Sequence, residues 1–406
     1  MTDPAFTPDQ KGLQKALDAL LGSTQNSTGS ELDDSLPESG IGEYKTLELL
    51  APMILDGARK LGAEGAFAHM DPPTPWITWA TTLWNASLNQ NLLHPDVAPI
   101  ARDIETRTVG WLAPCFGMTG GHMTPGSTVA NLTALWAARE LKGLKRVVAS
   151  KAAHLSIGKA AHILGLDYTT VETNNIGQID QKYLPHDLSD SALVLTAGTT
   201  ATGAIDELEL GLNAAWRHID AAWAGPLKLS EKHRAKLNGL EMADSVSISA
   251  HKWLFQPKES GLVLFRDVSP AHDAISFGAD YLTVPNIGIL GSHGATAVPL
   301  LATLLSWGRV GLEYRINTAM QLADDLETYL KLQKEIAVYG PNESGVLLWR
   351  IKEFSDMRPI LGKLPTGSAS YTHVDQTDWI RHVAANPNAN IDLLKGAIQK
   401  ILIEFS

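Results

Sequence analysis

Cysteine is nearly absent from this chain, since Cys115 is the only one in 406 residues. A single cysteine excludes an internal disulfide and is typical of proteins in a reducing compartment. The first residues lack the basic start and apolar run of a secretory signal peptide. No apolar run approaches the roughly 20 residues that a membrane-spanning helix needs. We therefore expect a cytoplasmic protein without a membrane partner.

Basic residues are also scarce relative to acidic ones. The chain has 33 Lys and Arg against 44 Asp and Glu, a formal net charge of −11. Such an excess of negative charge favours solubility and argues against non-specific binding to nucleic acid. The 13 histidines are scattered, without the close spacing of a metal-binding cluster, so we expect no metal. The chain is long enough for two or three domains.

The most informative stretch is 247–254, which has the sequence Ser-Ile-Ser-Ala-His-Lys-Trp-Leu. Small and apolar residues predict a strand over about 244–250 that ends at His251, Lys252 and Trp253. Lysine is almost never fully buried unless another group pairs with it. By itself the pattern fits two interpretations equally well: a solvated His-Lys pair at a surface strand end, or a functional site.

A second predicted strand delivers the carboxylate of Asp220 into a run of small residues. A carboxylate and a lysine at neighbouring strand ends suit pyridoxal 5'-phosphate (PLP). The amine of Lys252 would form a Schiff base with the aldehyde of PLP, and Asp220 would keep the ring nitrogen protonated. The alternative for Asp220 is a carboxylate that caps a turn or a helix, but this does not account for the other residues of the pattern.

A glycine-containing turn at 120–128, Gly-Gly-His-Met-Thr-Pro-Gly-Ser-Thr, precedes a predicted helix. Free backbone N–H groups and the helix dipole make such a helix start a phosphate site. Ser127 and Thr128 would hold the phosphate through their amides and hydroxyls. The alternative is an ordinary Ser/Thr helix cap, which the presence of Lys252 and Asp220 makes the weaker interpretation.

These segments together resemble the group II PLP-dependent amino-acid decarboxylases, which include the aromatic amino-acid, glutamate and cysteine-sulfinate decarboxylases. The resemblance spans roughly 60–400 and rests on four motifs. They are Ser-Ile-Ser-Ala-His-Lys-Trp-Leu at 247–254, His-Ile-Asp-Ala-Ala-Trp-Ala-Gly at 218–225, Thr-Ala-Gly-Thr-Thr-Ala-Thr-Gly-Ala-Ile-Asp at 196–206 and Thr-Pro-Gly-Ser-Thr-Val-Ala-Asn-Leu at 124–132. The motifs are highly specific for fold and cofactor, less specific for the reaction, and weakly informative about the substrate.

The resemblance implies an α/β protein with the PLP-dependent transferase fold (fold type I). Its mostly parallel sheet is covered by helices and is followed by a smaller C-terminal α+β domain. Alternating strands and helices in the sequence agree with this. We expect an N-terminal segment and linker over 1–60, a large PLP-binding domain over 61–308 and a small domain over 309–406.

Helical periodicity adds more detail to this expectation. We predict helices over 9–21 and 44–60, a polar linker over 23–42 and a terminal helix over 391–405. A long helix from about 295 to 332 would connect the two domains, with a break near Gly308–Gly311.

The resemblance also assigns the site residues. Lys252 would carry PLP, Asp220 would hold the ring nitrogen, and His154 would stack on the ring. The cofactor-binding set is Ser127, Thr128, His154, Thr200, Asp220, Ala222, Ser249, His251 and Lys252, with Ser292 reaching the phosphate of a second copy in a homodimer whose sites lie at the interface. The substrate-binding set is His69, Thr74, Trp76, Tyr281 and Arg350.

The implied reaction is decarboxylation of an L-amino acid, a small-molecule substrate, to its amine and CO2. In many relatives a tyrosine on a mobile loop covers the site. The corresponding loop at 279–288 is short here, and Tyr281 is its only tyrosine. The proton donor after CO2 loss is therefore Tyr281, His293 or solvent, and poor shielding would allow reaction with oxygen.

Two other interpretations remain open at the level of sequence. The first is another PLP reaction on the same fold: decarboxylation coupled to oxidative deamination, transamination or carbon–carbon lyase chemistry. The second is a cofactor-free binding or regulatory protein, which the presence of both Lys252 and Asp220 argues against.

Overall fold

The computed structural model describes residues 6–23, 32 and 34–404. The chain divides into two compact units, Met1–Leu61 and Gly62–Ser406. The predicted domain boundary at residue 60 falls close to this division. The predicted division at 308 has no counterpart in these units and stays a prediction.

In the described part of the first unit, α1 (Gln10–Gly22) confirms the predicted helix over 9–21. Helix α2 (Glu43–Ala51) continues as a π-helix over Pro52–Asp56, so the helix predicted over 44–60 ends at Asp56. Asp9 caps α1, because its carboxylate accepts the backbone N–H groups of the second and third residues that follow it. A surface ion pair joins Lys15 of α1 to Glu48 of α2 at 2.5 Å. Most of the predicted linker over 23–42 lies either outside the described residues or outside regular structure.

The second unit contains the remaining helices and all the named strands. Its helices are α3 (Trp76–Leu88), α4 (Pro99–Leu112), α5 (Ser127–Lys142), α6 (Leu155–Ile163), α7 (Val268–Ala274), α8 (Ala297–Lys331), α9 (Arg358–Leu361) and α10 (Ile391–Glu404). Its strands are β1 (Gly120–Thr124), β2 (Arg146–Ser150), β3 (Asp167–Val171), β4 (Ser191–Thr196), β5 (Trp216–Asp220), β6 (Ser245–Ile248), β7 (Gly261–Phe265), β8 (Ser276–Phe277), β9 (Asn286–Ile287), β10 (Ile336–Val338), β11 (Val346–Ile351), β12 (Ser370–Val374) and β13 (Thr377–Val383).

Seven strands form one sheet in the order β1-β7-β6-β5-β4-β2-β3. Only β7 runs against its neighbours, so the sheet is mostly parallel, as the sequence predicts. Every residue of β4 to β7 is buried, which is why these strands are mostly small or apolar. Asp220 pairs with Thr196 on one side and with Ser247 on the other, so three polar side chains meet at the carboxyl ends of adjacent strands.

Helices cover this sheet and complete the predicted α/β architecture. One apolar cluster joins α5, α6 and α7 to the sheet through residues such as Leu135, Ile157 and Phe265, all of them fully buried. Helix α5 also lies against β5, β6 and β7. The start of this helix is therefore held close to the strand ends that carry Asp220 and Lys252.

The long helix α8 bends sharply at Gly308, whose φ of 60° and ψ of −174° are not helical. A positive φ favours glycine, and the predicted break near Gly308–Gly311 is confirmed. After α8 comes a four-stranded antiparallel sheet in the order β10-β11-β13-β12, which confirms the smaller C-terminal α+β region. The predicted terminal helix corresponds to α10, and its expected last residue, Phe405, lies outside the described residues. Over the described ranges, no helix has the length and apolar character that crossing a membrane requires.

Candidate active site

A cavity of about 250 Å³ lies at the carboxyl ends of β4, β5 and β6. Open α/β sheets bind ligands at this edge. Its lining consists of Pro125, Gly126, Ser127, Thr128, His154, Thr196, Gly198, Thr200, Asp220, Ala222, Ser249, His251 and Lys252. The structure thus brings together all the predicted cofactor-binding residues except Ser292.

Lys252 lies in the turn that follows β6 and faces this cavity. Burial lowers the pKa of its amine below the usual range, while the negative charges of Asp220 and Asp71 oppose the shift and the positive charges of Lys258 and Arg381 add to it. A lowered pKa raises the fraction of the amine that is neutral at physiological pH. The neutral amine is the form that attacks an aldehyde.

Asp220 ends β5 with only 3% of its surface exposed. Its carboxylate accepts the backbone N–H of Ala222 at 3.1 Å and the side-chain amide of Asn131 at 3.0 Å, and the hydroxyl of Ser247 is 3.4 Å away. Across the part of the chain that the structure describes, Asp220 forms no salt bridge. A buried carboxylate is costly without a cationic partner, and the protonated ring nitrogen of PLP would supply one.

The start of α5 provides a cradle for an anion. Gly126 precedes Ser127 with a φ of 86°, and a Cβ added to Gly126 would come within 3.1 Å of the ring of His251. Glycine has no side chain to cap a helix, so the first-turn N–H groups of α5 face a cavity that Ser127 and Thr128 also line. The Oγ atoms of Ser127 and Ser249 lie 2.7 Å apart. This donor set fits a phosphate.

Two histidines line the same cavity as neutral side chains. Nδ1 of His154 accepts the backbone N–H of Ser156 at 3.2 Å, which leaves the ring proton on Nε2. Burial lowers the pKa of His154, and the charge of Asp220 partly opposes this. Nδ1 of His251 lies 2.9 Å from the carbonyl oxygen of Ser260 and therefore donates to it. Burial lowers the pKa of His251 to about 4.

Trp253 has a structural role, although the sequence groups it with the functional residues before it. Its side chain is completely buried and packs on Trp223, with ring centroids 4.3 Å apart. Its indole N–H donates to the carbonyl oxygen of Ala384 at 3.1 Å, and that of Trp223 donates to Ser344 at 2.7 Å. Through these hydrogen bonds, the two indoles connect the strand ends beside Lys252 to the segments that flank the C-terminal sheet.

Several predicted residues are not brought into the cavity. Tyr281 is 71% exposed, and Trp76 is 70% exposed. His69 is exposed as well, and Thr74 accepts the indole N–H of Trp79 at 2.8 Å. Ser292 is exposed and accepts the side-chain amide of Asn91 at 3.1 Å.

The structure does not place Arg350 at the cavity. Arg350 lies on β11, donates to the carbonyl oxygen of Phe354 at 2.6 Å and sits 5.9 Å from the ring centroid of Trp379. Its Nε has no hydrogen-bond partner within the described residues, as is also true of Arg381, but Arg350 does not line the cavity and is not among the charges that act on Lys252. The predicted contact of Arg350 with a substrate carboxylate therefore stays a prediction.

Arg381 on β13 is the arginine near the site, and none of the sequence motifs singled it out. It is 7% exposed, donates to the carbonyl oxygen of Ala68 at 3.2 Å, and contributes to the lowered pKa of Lys252. Burial lowers its own pKa to about 10. Its Nε has no hydrogen-bond partner within the described residues.

Metal chemistry finds no support in the side-chain arrangement. Among the residues that the structure describes, no three His, Cys, Asp or Glu side chains lie close enough together to hold a metal ion. The cavity instead combines a lysine, a buried carboxylate, an anion cradle and a neutral histidine, and these residues fit PLP.

Comparison with known proteins agrees with this chemistry. The family profile described as the pyridoxal-dependent decarboxylase conserved domain matches residues 30–352. The L-2,4-diaminobutyrate decarboxylase of Rhizobium meliloti is 32% identical over 352 residues, which cover 78% of this chain and 71% of that protein. The aspartate 1-decarboxylase of Aliivibrio fischeri is 27% identical over 379 residues, 78% of this chain and 69% of that protein.

Solved structures share the fold at lower identity. The crystal structure of Oryza sativa TDC with PLP and tryptamine superposes with a TM-score of 0.88 at 20% identity, covering 99% of this chain and 98% of that one. Mouse CSAD in its apo form gives a TM-score of 0.84 at 21% identity, covering 97% and 98%.

Proposed function

This chain belongs to the family of pyridoxal-dependent decarboxylases and is a PLP-dependent carboxy-lyase; we propose that it converts an L-amino acid to the corresponding amine and CO2, with Lys252 as the residue that bonds covalently to the cofactor. The observation that carries this proposal is the meeting of Lys252, Asp220 and the open start of α5 in one cavity.

PLP, when bound, supplies an electron sink for the electron pair that CO2 leaves behind on the α-carbon. The protein's own contribution is binding, orientation and charge. Asp220 would hold the ring nitrogen of PLP and favour its protonated form, because a nearby carboxylate favours a positive charge. Ser127 and Thr128 would hold the phosphate through the start of α5. His154 would pack against the ring and limit its movement.

Arg381 is the best candidate to bind a carboxylate of the substrate. It is the buried guanidinium near Lys252, and its unpaired Nε provides a donor that a carboxylate would satisfy. Binding would also relieve the cost of a buried charge without a counter-ion. Orienting the substrate in this way would fix the direction in which CO2 leaves.

The number of protons that the reaction consumes gives a direct measure of turnover. Loss of CO2 from an amino acid leaves an electron pair on the α-carbon, which must take up one proton to give the amine. Each turnover therefore consumes one proton and releases one CO2. The candidate donors on the protein differ in exposure, since Tyr281 is largely exposed and His293 is partly buried.

We also propose a homodimer. Large apolar side chains are exposed on α3 and α8, two helices that pack against each other. They are Trp76, Trp84, Leu88, Leu305, Val310 and Tyr314, each 59% exposed or more. Exposed apolar surface of this extent is typical of a protein interface. In such a dimer we expect Ser292 to face the second copy's phosphate site.

The test is a screen of L-amino acids for CO2 release by the PLP-loaded protein, with amine and CO2 measured in air and under nitrogen. The panel includes L-2,4-diaminobutyrate, L-aspartate and the aromatic amino acids, which are the substrates in the names of the relatives. Equal amounts of amine and CO2 in both atmospheres support the proposal. Ammonia and aldehyde formed only in air would instead identify the oxidative branch. A keto acid without CO2 would contradict decarboxylation.

A further inference from the structure

A single buried amide, that of Asn131 on α5, contacts two parts of the candidate active site at once. The residue is completely buried. Its Nδ2 donates to Oδ2 of Asp220 at 3.0 Å and to Oγ of Ser156 at 2.9 Å. Its Oδ1 accepts from Oγ of Ser247 at 2.5 Å and from Nε2 of His218 at 2.9 Å. A side-chain amide has two donor hydrogens and two acceptor positions, so Asn131 uses all four.

The carboxylate of Asp220 fixes the orientation of this amide, because a carboxylate can only accept hydrogen bonds. Nδ2 must therefore face Asp220, and Oδ1 must face groups that donate. His218 supplies one of those donors as its Nε2–H tautomer, and its Nδ1 accepts from the hydroxyl of Ser245 at 2.8 Å. Burial lowers the pKa of His218 to about 4, so this histidine stays neutral and keeps that tautomer.

The other branch of the network reaches His154 through Ser156. Oγ of Ser156 accepts an N–H of Asn131, so its own hydroxyl hydrogen is free to point at Nδ1 of His154, 2.8 Å away. The backbone N–H of Ser156 donates to the same nitrogen at 3.2 Å. The lone pair of Nδ1 thus faces two donors, and the backbone N–H alone is enough to confine the ring proton of His154 to Nε2.

We propose that Asn131 is a positioning residue that holds the carboxylate of Asp220 in place as the acceptor for the cofactor's ring nitrogen. Asn131 does not line the cavity, so it acts through Asp220. The inference rests on the proposed function for the role of Asp220. The hydrogen-bond directions themselves do not depend on the cofactor.

A merely structural role for Asn131 would change stability alone, so the test needs other readouts. The first is the tautomer of His154 in the cofactor-free protein, measured by ¹⁵N NMR of ¹⁵N-histidine samples and assigned with His154→Gln. The second is the dissociation constant for PLP. The third is the ¹⁵N shift of PLP labelled at its ring nitrogen, which distinguishes pyridinium from pyridine.

Three variants separate the two branches. Asn131→Leu, of similar volume, should weaken PLP binding by about tenfold or more and move the ring-nitrogen shift toward neutral pyridine. Ser156→Ala should leave the ring-nitrogen shift and the tautomer of His154 unaltered, because Asn131 still contacts Asp220 and the backbone N–H of residue 156 still donates to Nδ1. Asn342→Leu removes another buried amide, one that contacts Asp324 and Gly345, and should lower stability without changing any of the three readouts.

If Asn131→Leu does not fold, Asn131→Ser replaces it, because a serine leaves space for water at the same position. Folded Asn131 variants in which PLP binds with unchanged affinity and an unchanged ring-nitrogen shift would overturn the proposal. Failure of the unaltered protein to bind PLP would instead overturn the proposed function. The PLP dissociation constant of the unaltered protein therefore distinguishes the two failures.

Discussion

Gly261 lies directly against the backbone of Gly126, so closely that a Cβ on Gly261 would come within 2.8 Å of the Cα of Gly126. Contacts under about 3 Å between carbon atoms are strongly repulsive, and a backbone cannot swing aside as a side chain can. Strand β7 therefore fixes the position of the turn that opens α5. The proposed phosphate cradle depends on the absence of one side chain on the neighbouring strand.

Gly261→Ala should therefore push the start of α5 out of place and weaken PLP binding by about tenfold or more, because backbone N–H groups bind a phosphate only in the right geometry. The measurement is the PLP dissociation constant, with the melting temperature of the cofactor-free protein in parallel. Gly396→Ala is the matched control, since nothing lies within 4 Å of the position of its Cβ. Unchanged PLP affinity in Gly261→Ala would mean that the phosphate is held elsewhere.

Lys252→Ala should abolish covalent attachment of PLP and reduce decarboxylation by several orders of magnitude, because no other amine lines the cavity in the described part of the chain. Borohydride reduction followed by peptide mass spectrometry locates the modified residue. Lys258→Ala is the control, since Lys258 is a nearby lysine whose amine pairs with Asp71 at the surface. Attachment of PLP to any lysine other than Lys252 would refute the assignment.

Arg381 and Arg350 offer a direct comparison of two arginines in one small sheet. Arg381→Met should raise KM for the amino-acid substrate, or lower kcat/KM, by about 30-fold or more, because a carboxylate then loses a charged donor. Arg350→Met should change kcat/KM by less than about threefold, since this guanidinium is engaged with Phe354 and Trp379. Steady-state kinetics on both variants decide the matter, and equal effects would argue against a special role for Arg381.

The pH dependence of stability follows from buried neutral histidines. Burial lowers the pKa of His218 and of His382 to about 4 from the ordinary 6.5. Because the folded-state pKa is the lower one, the unfolded state binds more protons between these values. Their contribution to the free energy of unfolding is complete above about pH 6.5 and is lost as the pH falls through about 4. We expect a loss of about 1–3 kcal/mol for each histidine.

Asp206 acts in the opposite direction, since burial raises its pKa to about 6 from 3.8. Its stabilising contribution is complete below about pH 3.8 and is lost as the pH rises through about 6. Two fully buried histidines outweigh this one carboxyl, so a net decline toward acid is expected. Urea unfolding of cofactor-free protein between pH 8 and pH 4 measures this decline in the free energy of unfolding. A constant free energy of unfolding across that range would contradict the lowered pKa values of these histidines in the folded protein.

Much of the candidate site could be predicted because its residues lie in short, continuous motifs at strand ends. His251 and Lys252 follow β6, Asp220 ends β5, and Ser127 opens α5. The topology of a parallel sheet then brings such ends to one edge. No long-range packing had to be known in order to place these residues together.

The position of Arg381 near Lys252 could not be predicted in the same way. Both Arg350 and Arg381 lie on strands of the C-terminal sheet, and Arg381 stands opposite Leu348 in the register of β11 and β13. Because side chains two residues apart share a face, Arg350 lies on the same face as Arg381. The two arginines differ in their positions on that face, and which position lies near Lys252 depends on how the two sheets pack, which is not local in the sequence.

The hydrogen bonds of Trp223 and Trp253 also bear on how this protein can be altered by deletion or recombination. Their acceptors are the carbonyl oxygens of Ser344 and Ala384, which lie on either side of β11 to β13. A chain shortened before Ser344 would leave two indole N–H groups buried without acceptors, close to Lys252. The segments that flank the C-terminal sheet therefore support the edge of the larger sheet beside Lys252. For this reason the C-terminal sheet cannot be exchanged as an independent module.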